Sequence, residues 1–395
     1  MVENKKKKIL IVLDEPYPNG MACTKRVHLY AKGLIELGND VKIIIPRATE
    51  KYLYIKNRIK KGIHDSVNFE YASKSPIRSK YFLIRKIDDV FAYFRLFFIG
   101  LTLKPDILLI SGESNLKILI SKLICIFIKS KLLRERSEIL YYKNDKIKYT
   151  QKYFSMIMYL LFDGLIVISE NLKIYFKNDL GFKKGLIKIP ILLKNFNYYD
   201  NTKNNISNNF VYCGSLNDKK DGILLMLGAF AKFCENRNDY KLLMTGNIDK
   251  SPDKKIILEK INNLNLNDKV IITGYVTEKE LFDYMHSALA LVLAKPQNRQ
   301  NKYNMATKVG EYLITGRPVI LSSVDQSTEF LTNYKDAIIF DPEVDELVEK
   351  MNFIINNREK AENIGKNGRN IAVKYFDYRK QIEKLDNFLN NNLLK

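Results

Sequence analysis

Metal-binding and redox residues are scarce in this sequence. Its 395 residues include only three histidines (His28, His64, His286) and four cysteines (Cys23, Cys125, Cys213, Cys234), the cysteines far apart with no C-x-x-C pair. No zinc site can be assembled from such spacings, and unpaired structural thiols are what a reducing cytosol leaves. No D-x-D triad occurs, so a carboxylate-held Mg²⁺ or Mn²⁺ is not expected. Clean membrane spans are missing too. The greasy stretches 91–103 and 116–133 are interrupted by Arg95 and by Lys117, Lys122 and Lys129. The opening "MVENKKKKILIVLDEP" meets an acidic pair after a short apolar run, so no signal peptide is expected. Acidic residues are also in short supply, 44 against 65 lysines and arginines, for a net charge of +21. That excess calls for an anionic partner: nucleic acid, anionic lipid or a phosphorylated substrate.

What is present reads as a folded α/β protein. Apolar residues make up 46% of the chain, which rules out wholesale disorder, and the length calls for two domains. "KILIVLDE" (8–15) is a continuous apolar run suited to a parallel strand buried on both faces. A proline- and glycine-containing loop follows. From Thr24 the apolar positions Val27, Tyr30, Ala31, Leu34 and Ile35 make one helical face, and "VKIIIP" (41–46) is the next strand. Further strands are expected at 106–111 and 164–169. The asparagine-rich "KNFNYYDNTKNNISNN" (194–209) reads as a linker. The alternation then restarts with strands at 210–215, 241–246, 269–276, 288–294, 317–323 and 336–342. The expected organisation is two Rossmann-like, doubly wound domains, 1–197 and 198–376, facing a cleft. A last helix, 377–395, is expected to return to the first domain.

Three stretches carry candidate chemistry. In "YCGSLNDKKDGILLMLGAFAKF" (212–233) a strand ends at Gly214-Ser215, a polar loop carries Lys219 and Lys220, and a helix is expected from about Asp221-Gly222. Backbone N–H groups at such a junction, with a lysine, suit phosphate, although an ordinary β–α turn has the same outline. In "LVLAKPQNRQNKYNMATKVGEYLITGRPVI" (291–320) a helix is expected from Asn304 or Met305, placing Lys308 and Glu311 on one face. The plain alternative there is a surface ion pair. In "EPYPNGMACTKR" (15–26), Gly20 would let the backbone approach a ligand, or simply close a turn.

The order of these pieces, with "FDGLIVISENLKIYF" before the linker, "CGSL…KKDGI" after it and "TKVGEYLITGRPVI" later, resembles the family 4 (group 1) retaining glycosyltransferases. These are two-domain GT-B enzymes using a nucleotide-sugar donor. The resemblance covers most of the chain and is poorest between about residues 47 and 100. It implies that Glu311 holds the donor ribose, that Lys220 meets the donor phosphates, and that Gly20 and the Gly214-Ser215 turn lie against them. Two positions depart from the family pattern. Tyr303 stands where many members carry a second glutamate, and Ser215 where many carry arginine. Lys308 and Arg299 are the candidates to replace the missing contacts.

The resemblance implies retention of anomeric configuration without metal or cofactor, the nucleotide-sugar being a co-substrate. Lys220 and Lys308 would stabilise the leaving phosphate. Glu135, in "LRERSE", is a candidate on the acceptor side, against the plainer reading of a solvated charge cluster with Arg134 and Arg136. The acceptor is expected to be a saccharide or a polyprenyl-linked saccharide of bacterial surface polysaccharide assembly. The protein would then sit in the cytoplasm at the inner face of the membrane. Basic, greasy stretches at 78–98 and 116–136 suit peripheral contact with anionic lipid. A catalytically degenerate partner subunit, a sugar-nucleotide epimerase of the same fold and a basic nucleic-acid-binding protein remain alternatives; the last lacks any recognised motif.

Overall fold

A computed structural model describes residues 6–53, 55–112, 114–139, 156–194 and 206–394. The chain divides into two compact units. One contains the described residues up to Ser137, those from 156 to Leu192, and those from Tyr378 onward; the other runs from Leu193 to Asp377 and includes Glu138. Most of the expected asparagine-rich linker lies outside the described residues. Among those described, no helix is long and apolar enough to cross a membrane.

The first unit is built on an eight-stranded sheet: β1 (Lys8–Leu13), β2 (Asp40–Ile45), β3 (Lys61–His64), β4 (Val67–Tyr71), β5 (Ile107–Ser111), β6 (Lys131–Arg136), β7 (Gly164–Val167) and β8 (Gly185–Lys188). Their spatial order is β3-β4-β2-β1-β5-β6-β7-β8, and every pairing is parallel except the hairpin β3–β4. β1 lies mid-sheet and is apolar throughout its buried length, as double-sided burial requires. The hairpin turns on Asp65 and Ser66, both in the left-handed region with φ of 46° and 68°. Two successive positive φ values match the twist of the flanking strands.

The last helix, Tyr378–Asn392, belongs to this unit and packs on the helix Ala22–Glu36. Gly33 makes that approach possible: a Cβ there would lie 2.7 Å from Cγ1 of Ile382. Ile382, Leu385 and Leu389 join the same core as Ile9, Val27 and Leu34. A buried ion pair, Lys7 Nζ to Asp386 at 3.1 Å, fixes the helix register beside β1.

The second unit carries a six-stranded, all-parallel sheet of β9 (Asn209–Cys213), β10 (Lys241–Thr245), β11 (Val270–Ile272), β12 (Ala290–Leu293), β13 (Val319–Ser322) and β14 (Ile338–Phe340). The order β11-β10-β9-β12-β13-β14 reverses direction between β9 and β12. At such a switch point the loops leaving two adjacent strands run to opposite sides and open a crevice at the strands' C-terminal ends. The loops leaving β9 and β12, with the helix that follows the second, carry every candidate donor residue except Gly20.

Candidate functional site

The loop after β9 is shaped by steric necessity. A Cβ at Gly214 would lie 2.1 Å from the Tyr212 hydroxyl and 2.5 Å from Lys308 Nζ, so side-chain groups occupy the space a larger residue would need. Leu216 follows with φ of 54°, in the left-handed region, its side chain buried. Asn217 then caps a single helical turn, Asp218–Asp221, its Oδ1 accepting from the Lys220 N–H at 2.9 Å. Gly222, at φ of 70°, ends that turn and opens the helix Ile223–Phe233. A Cβ on Gly222 would fall 1.7 Å from the Ala294 carbonyl oxygen, so the loop runs directly against the end of β12. The helix expected from Asp221-Gly222 is thus two elements joined at a glycine.

The loop after β12 is held by buried polar contacts. Lys295 pairs with Asp325 at 2.8 Å and also donates to Asn304 Oδ1. Asp325 accepts in addition from the backbone N–H of Ala306 at 3.0 Å, at the start of the helix Thr307–Ile314. Asn298 caps the short helix Arg299–Tyr303 and donates through its amide to the Lys219 carbonyl at 2.7 Å. Asn301 donates to the Pro296 carbonyl at 2.9 Å. Polar contacts therefore join the two loops, and the start of the helix bearing Lys308 and Glu311 is fixed although Ala306 offers no side-chain cap.

That helix is then tied to the end of β9. The buried Tyr312 hydroxyl accepts from the Cys213 N–H at 2.7 Å and donates to the Cys213 carbonyl at 3.3 Å. Burial raises the Tyr312 phenol well above its ordinary range, so it remains a donor. One turn earlier, Lys308 Nζ lies 2.9 Å from Asp221 Oδ2, 3.3 Å from the Tyr212 hydroxyl and 4.7 Å from the centre of the Tyr212 ring. Tyr212 donates to the same Asp221 oxygen at 2.7 Å; burial and the Asp221 charge push its phenol far up. The Lys308 side chain keeps 18% of its surface exposed, whereas Asp221 is buried. A cation is thus held in one place beside a glycine, with its own counter-ion behind it.

Glu311 is half-buried on this helix, and its charge reaches the Cys213 thiol and the Tyr312 hydroxyl, contributing to the rise of both. Burial is the larger cause and takes Cys213 to about 12. Ser215 is exposed on the loop. Lys220 is 44% exposed, its ammonium 3.2 Å from Glu138 of the same unit. Arg299 opens the short helix capped by Asn298, and Tyr303 closes it. Six candidates (Gly214, Ser215, Lys220, Arg299, Lys308 and Glu311) therefore lie on the two loops that meet at the β9–β12 switch, or on the helix that follows.

The other two candidates belong to the first unit. Gly20 has a local reason to be glycine. Thr24 Oγ1 donates to the Pro16 carbonyl at 2.9 Å, and a Cβ on Gly20 would strike both atoms. The plainer reading of Glu135, a solvated cluster with Arg134 and Arg136, is overturned, because all three side chains are buried. Glu135 Oε1 accepts from Arg26 Nε at 3.0 Å, both side chains only 5% exposed. Its Oε2 accepts from Ser111 at 3.3 Å. Arg26 spends its remaining nitrogens on the Ile189 and Pro190 carbonyls, both at 2.6 Å. Arg26, from the helix Ala22–Glu36, and the backbone of 189–190 that it binds cover the end of β6, so Glu135 is enclosed instead of solvated.

Sequence reasoning missed Tyr212, Asp221, Tyr312, Lys295 and Asp325. A usable signal existed for one: an acidic residue directly before Gly222 at a switch-point loop. The others pair across 30 to 99 positions of sequence and leave no local pattern.

Residues 197–371 match the model of the family described as glycosyl transferases group 1. No curated protein matches the chain in sequence. Among solved structures, a glycosyltransferase from Rickettsia africae ESF-5 is similar at 16% identity with a TM-score of 0.73, covering 98% of each chain. A sucrose-phosphate synthase from Thermosynechococcus elongatus is similar at 14% identity and a TM-score of 0.74, again over 98% of each chain. HepE from Anabaena, solved with UDP and glucose, is similar at 15% identity and a TM-score of 0.72, over 97% of this chain and 99% of its own. The fold is GT-B.

Proposed function

We propose, from the premise that residues 197–371 belong to the group 1 glycosyl transferases, that this chain moves a sugar from a nucleotide-sugar donor to a saccharide or polyprenyl-linked saccharide. The observation that carries this reading is the placement of Lys308 against Gly214, with Glu311 one turn further on the same helix. Lys308 would take the donor diphosphate, assisted by Lys220 from the loop. Glu311 would accept from two neighbouring ribose hydroxyls, a charge-assisted pair of contacts. Arg299 and Ser215 would complete the donor contacts, and Gly20 is the candidate from the first unit. HepE of Anabaena being described with UDP and glucose makes UDP the first nucleotide to try.

In the reaction so read, the bond from the sugar's anomeric carbon to the departing phosphate oxygen breaks, and the acceptor hydroxyl forms the new one. The hydroxyl proton passes to the leaving phosphate. Negative charge grows on the diphosphate as this happens, and fixed cations that need no reorganisation lower the barrier most. The finer assignments are part of the same proposal: family 4 membership, retention, a hexosyl donor, independence of metal, and a cytoplasmic role in bacterial surface polysaccharide assembly.

Calorimetric titration of the purified chain with UDP, GDP, ADP and CMP, repeated on Glu311→Ala, tests the donor site. Selective binding of one nucleotide, weakened at least about tenfold in the variant (about 1.4 kcal/mol), is expected. A folded protein that binds none of them would sink the assignment. It would bring forward the degenerate-subunit reading that Tyr303 and Ser215 invite.

A further inference from the structure

We propose that the helices Phe82–Leu103 and Asn115–Ile128 of the first unit form one face that inserts shallowly into an anionic lipid bilayer. A surface helix normally turns its large apolar residues inward and its polar residues out. Here the inward face of Phe82–Leu103 is narrow: its buried residues are Ala92, Tyr93, Leu96 and Gly100. Gly100 is where the two helices touch, since a Cβ there would lie 2.7 Å from Ile124 Cδ1. The outward face carries the bulk. Leu83, Ile87, Phe91, Phe94 and Phe98 recur at spacings of four and three, and each is between 55% and 73% exposed. The neighbouring helix repeats the device with Leu116, Leu119, Leu123 and Phe127, between 48% and 68% exposed. Phe97 bridges the two stripes, its ring 5.8 Å from both Phe98 and Phe127. Two adjacent helices thus present one continuous apolar surface to the outside, far beyond the scattered single residues of an ordinary surface.

Charge identifies the occupant. Residues 78–104 hold six basic side chains and two acidic ones, and residues 115–131 hold no acidic one and, besides the enclosed Lys117, the three lysines Lys122, Lys129 and Lys131. Lys86 lies 5.6 Å and Arg85 5.4 Å from the centre of the exposed Phe82 ring, and Lys80 lies 3.9 Å from that of Tyr52. Apolar tips flanked by cations match a bilayer, where acyl chains lie below a plane of anionic headgroups. A second copy of the chain matches less well. A twofold contact would set this basic face against itself, with only Asp88 and Asp89 to offset it. The inference stands apart from the donor site, because binding to lipid requires neither Lys308 nor Glu311.

Flotation of the full chain with phosphatidylcholine vesicles, with and without 30 mol% phosphatidylglycerol, tests it. Binding is expected only with phosphatidylglycerol and is expected to fall as salt rises. The double variant Phe91→Ser/Phe94→Ser should lose at least tenfold in vesicle affinity while keeping the wild-type melting temperature. Arg85→Glu/Lys86→Glu should do the same. Lys255→Glu/Lys279→Glu, which reverses two exposed lysines of the second unit, should stay within twofold of wild type. Three results would overturn the proposal: no vesicle binding at low salt, an unchanged Phe91/Phe94 variant, or an equal loss in the second-unit control. A dimer in sedimentation that the Phe91/Phe94 variant dissolves, without vesicle binding, would assign the face to a second copy.

Discussion

Each unit gathers charge at the C-terminal ends of its parallel strands, yet the two treat it differently. In the first, Arg26 and Glu135 close on each other at 3.0 Å with 5% exposure apiece. Lys117 is wholly enclosed, 2.6 Å from Asp14, and burial pulls its ammonium below the usual lysine range. In the second, Lys308 has a buried counter-ion but an open flank, and Lys220 is nearly half exposed. A charge with both its surface and its hydrogen bonds consumed internally stabilises a framework or costs it little. A cation backed by its partner yet open on one side is poised for an anion from outside. The same chemical types at equivalent places in two similar folds therefore do different work, and exposure, more than residue identity, tells them apart.

The largest effects should come from opening a closed pair. Glu135→Ala leaves the Arg26 guanidinium buried without its carboxylate, which should cost about 3–5 kcal/mol of stability. Chemical denaturation measures this, and nucleotide affinity in the folded fraction should not change. Full stability with lost sugar transfer would break the comparison and return Glu135 to the acceptor side. Lys308→Gln should give the opposite profile. Nucleoside diphosphate affinity should fall at least about tenfold, a charged hydrogen bond being worth about 1.5–3 kcal/mol, while affinity for the bare nucleoside is unchanged. The melting temperature should move little, because Asp221 retains the Tyr212 hydroxyl at 2.7 Å and gains an amide. Equal losses for nucleoside and diphosphate would mean that Lys308 only holds the loops together.

Two doubly wound units were legible because apolar runs such as 8–13 and 290–293 are strands buried on both faces. The strands β3, β4 and β8 were not. β3 is largely exposed, β8 is four residues long, and the β3–β4 turn uses Asp65-Ser66 in place of the Asn-Gly or Asp-Gly that signals such a hairpin. In the site, Lys308 and Glu311 could be found because helical spacing is local. Tyr212, which helps hold Lys308, could not, since its strand and that helix meet only in the folded sheet, and Asp221 was signalled only as the acidic residue before Gly222. Glu135 illustrates the converse error: three alternating charges looked like a solvated run because nothing in the sequence says that Arg26, more than a hundred positions away, closes over the end of β6.

The smallest expected effect sets a closed group against an open one within the second unit itself. His286 is buried, its ring stacked 3.8 Å from that of Phe282, and its Nδ1–H donates to the Phe282 carbonyl at 2.9 Å. Burial lowers its pKa below the ordinary value of 6.5. Below about pH 6.5 the unfolded chain takes up a proton there that the folded chain resists. His286 therefore contributes its full share of stability above that pH, and the share is lost as pH falls toward the depressed folded value. Replacing it with glutamine should make the drop in denaturation midpoint between pH 7.5 and pH 5.5 smaller than in wild type, the carboxylates titrating alike in both. Nucleotide affinity should be the same in the two proteins at either pH, because His286 lies at the far end of the helix Glu278–Ser287 from the loops that carry Lys308. A variant with an unchanged pH slope would mean that the histidine takes up its proton alike in the folded and the unfolded chain. A changed nucleotide affinity would mean that exposure does not separate framework from site as cleanly as the two units suggest.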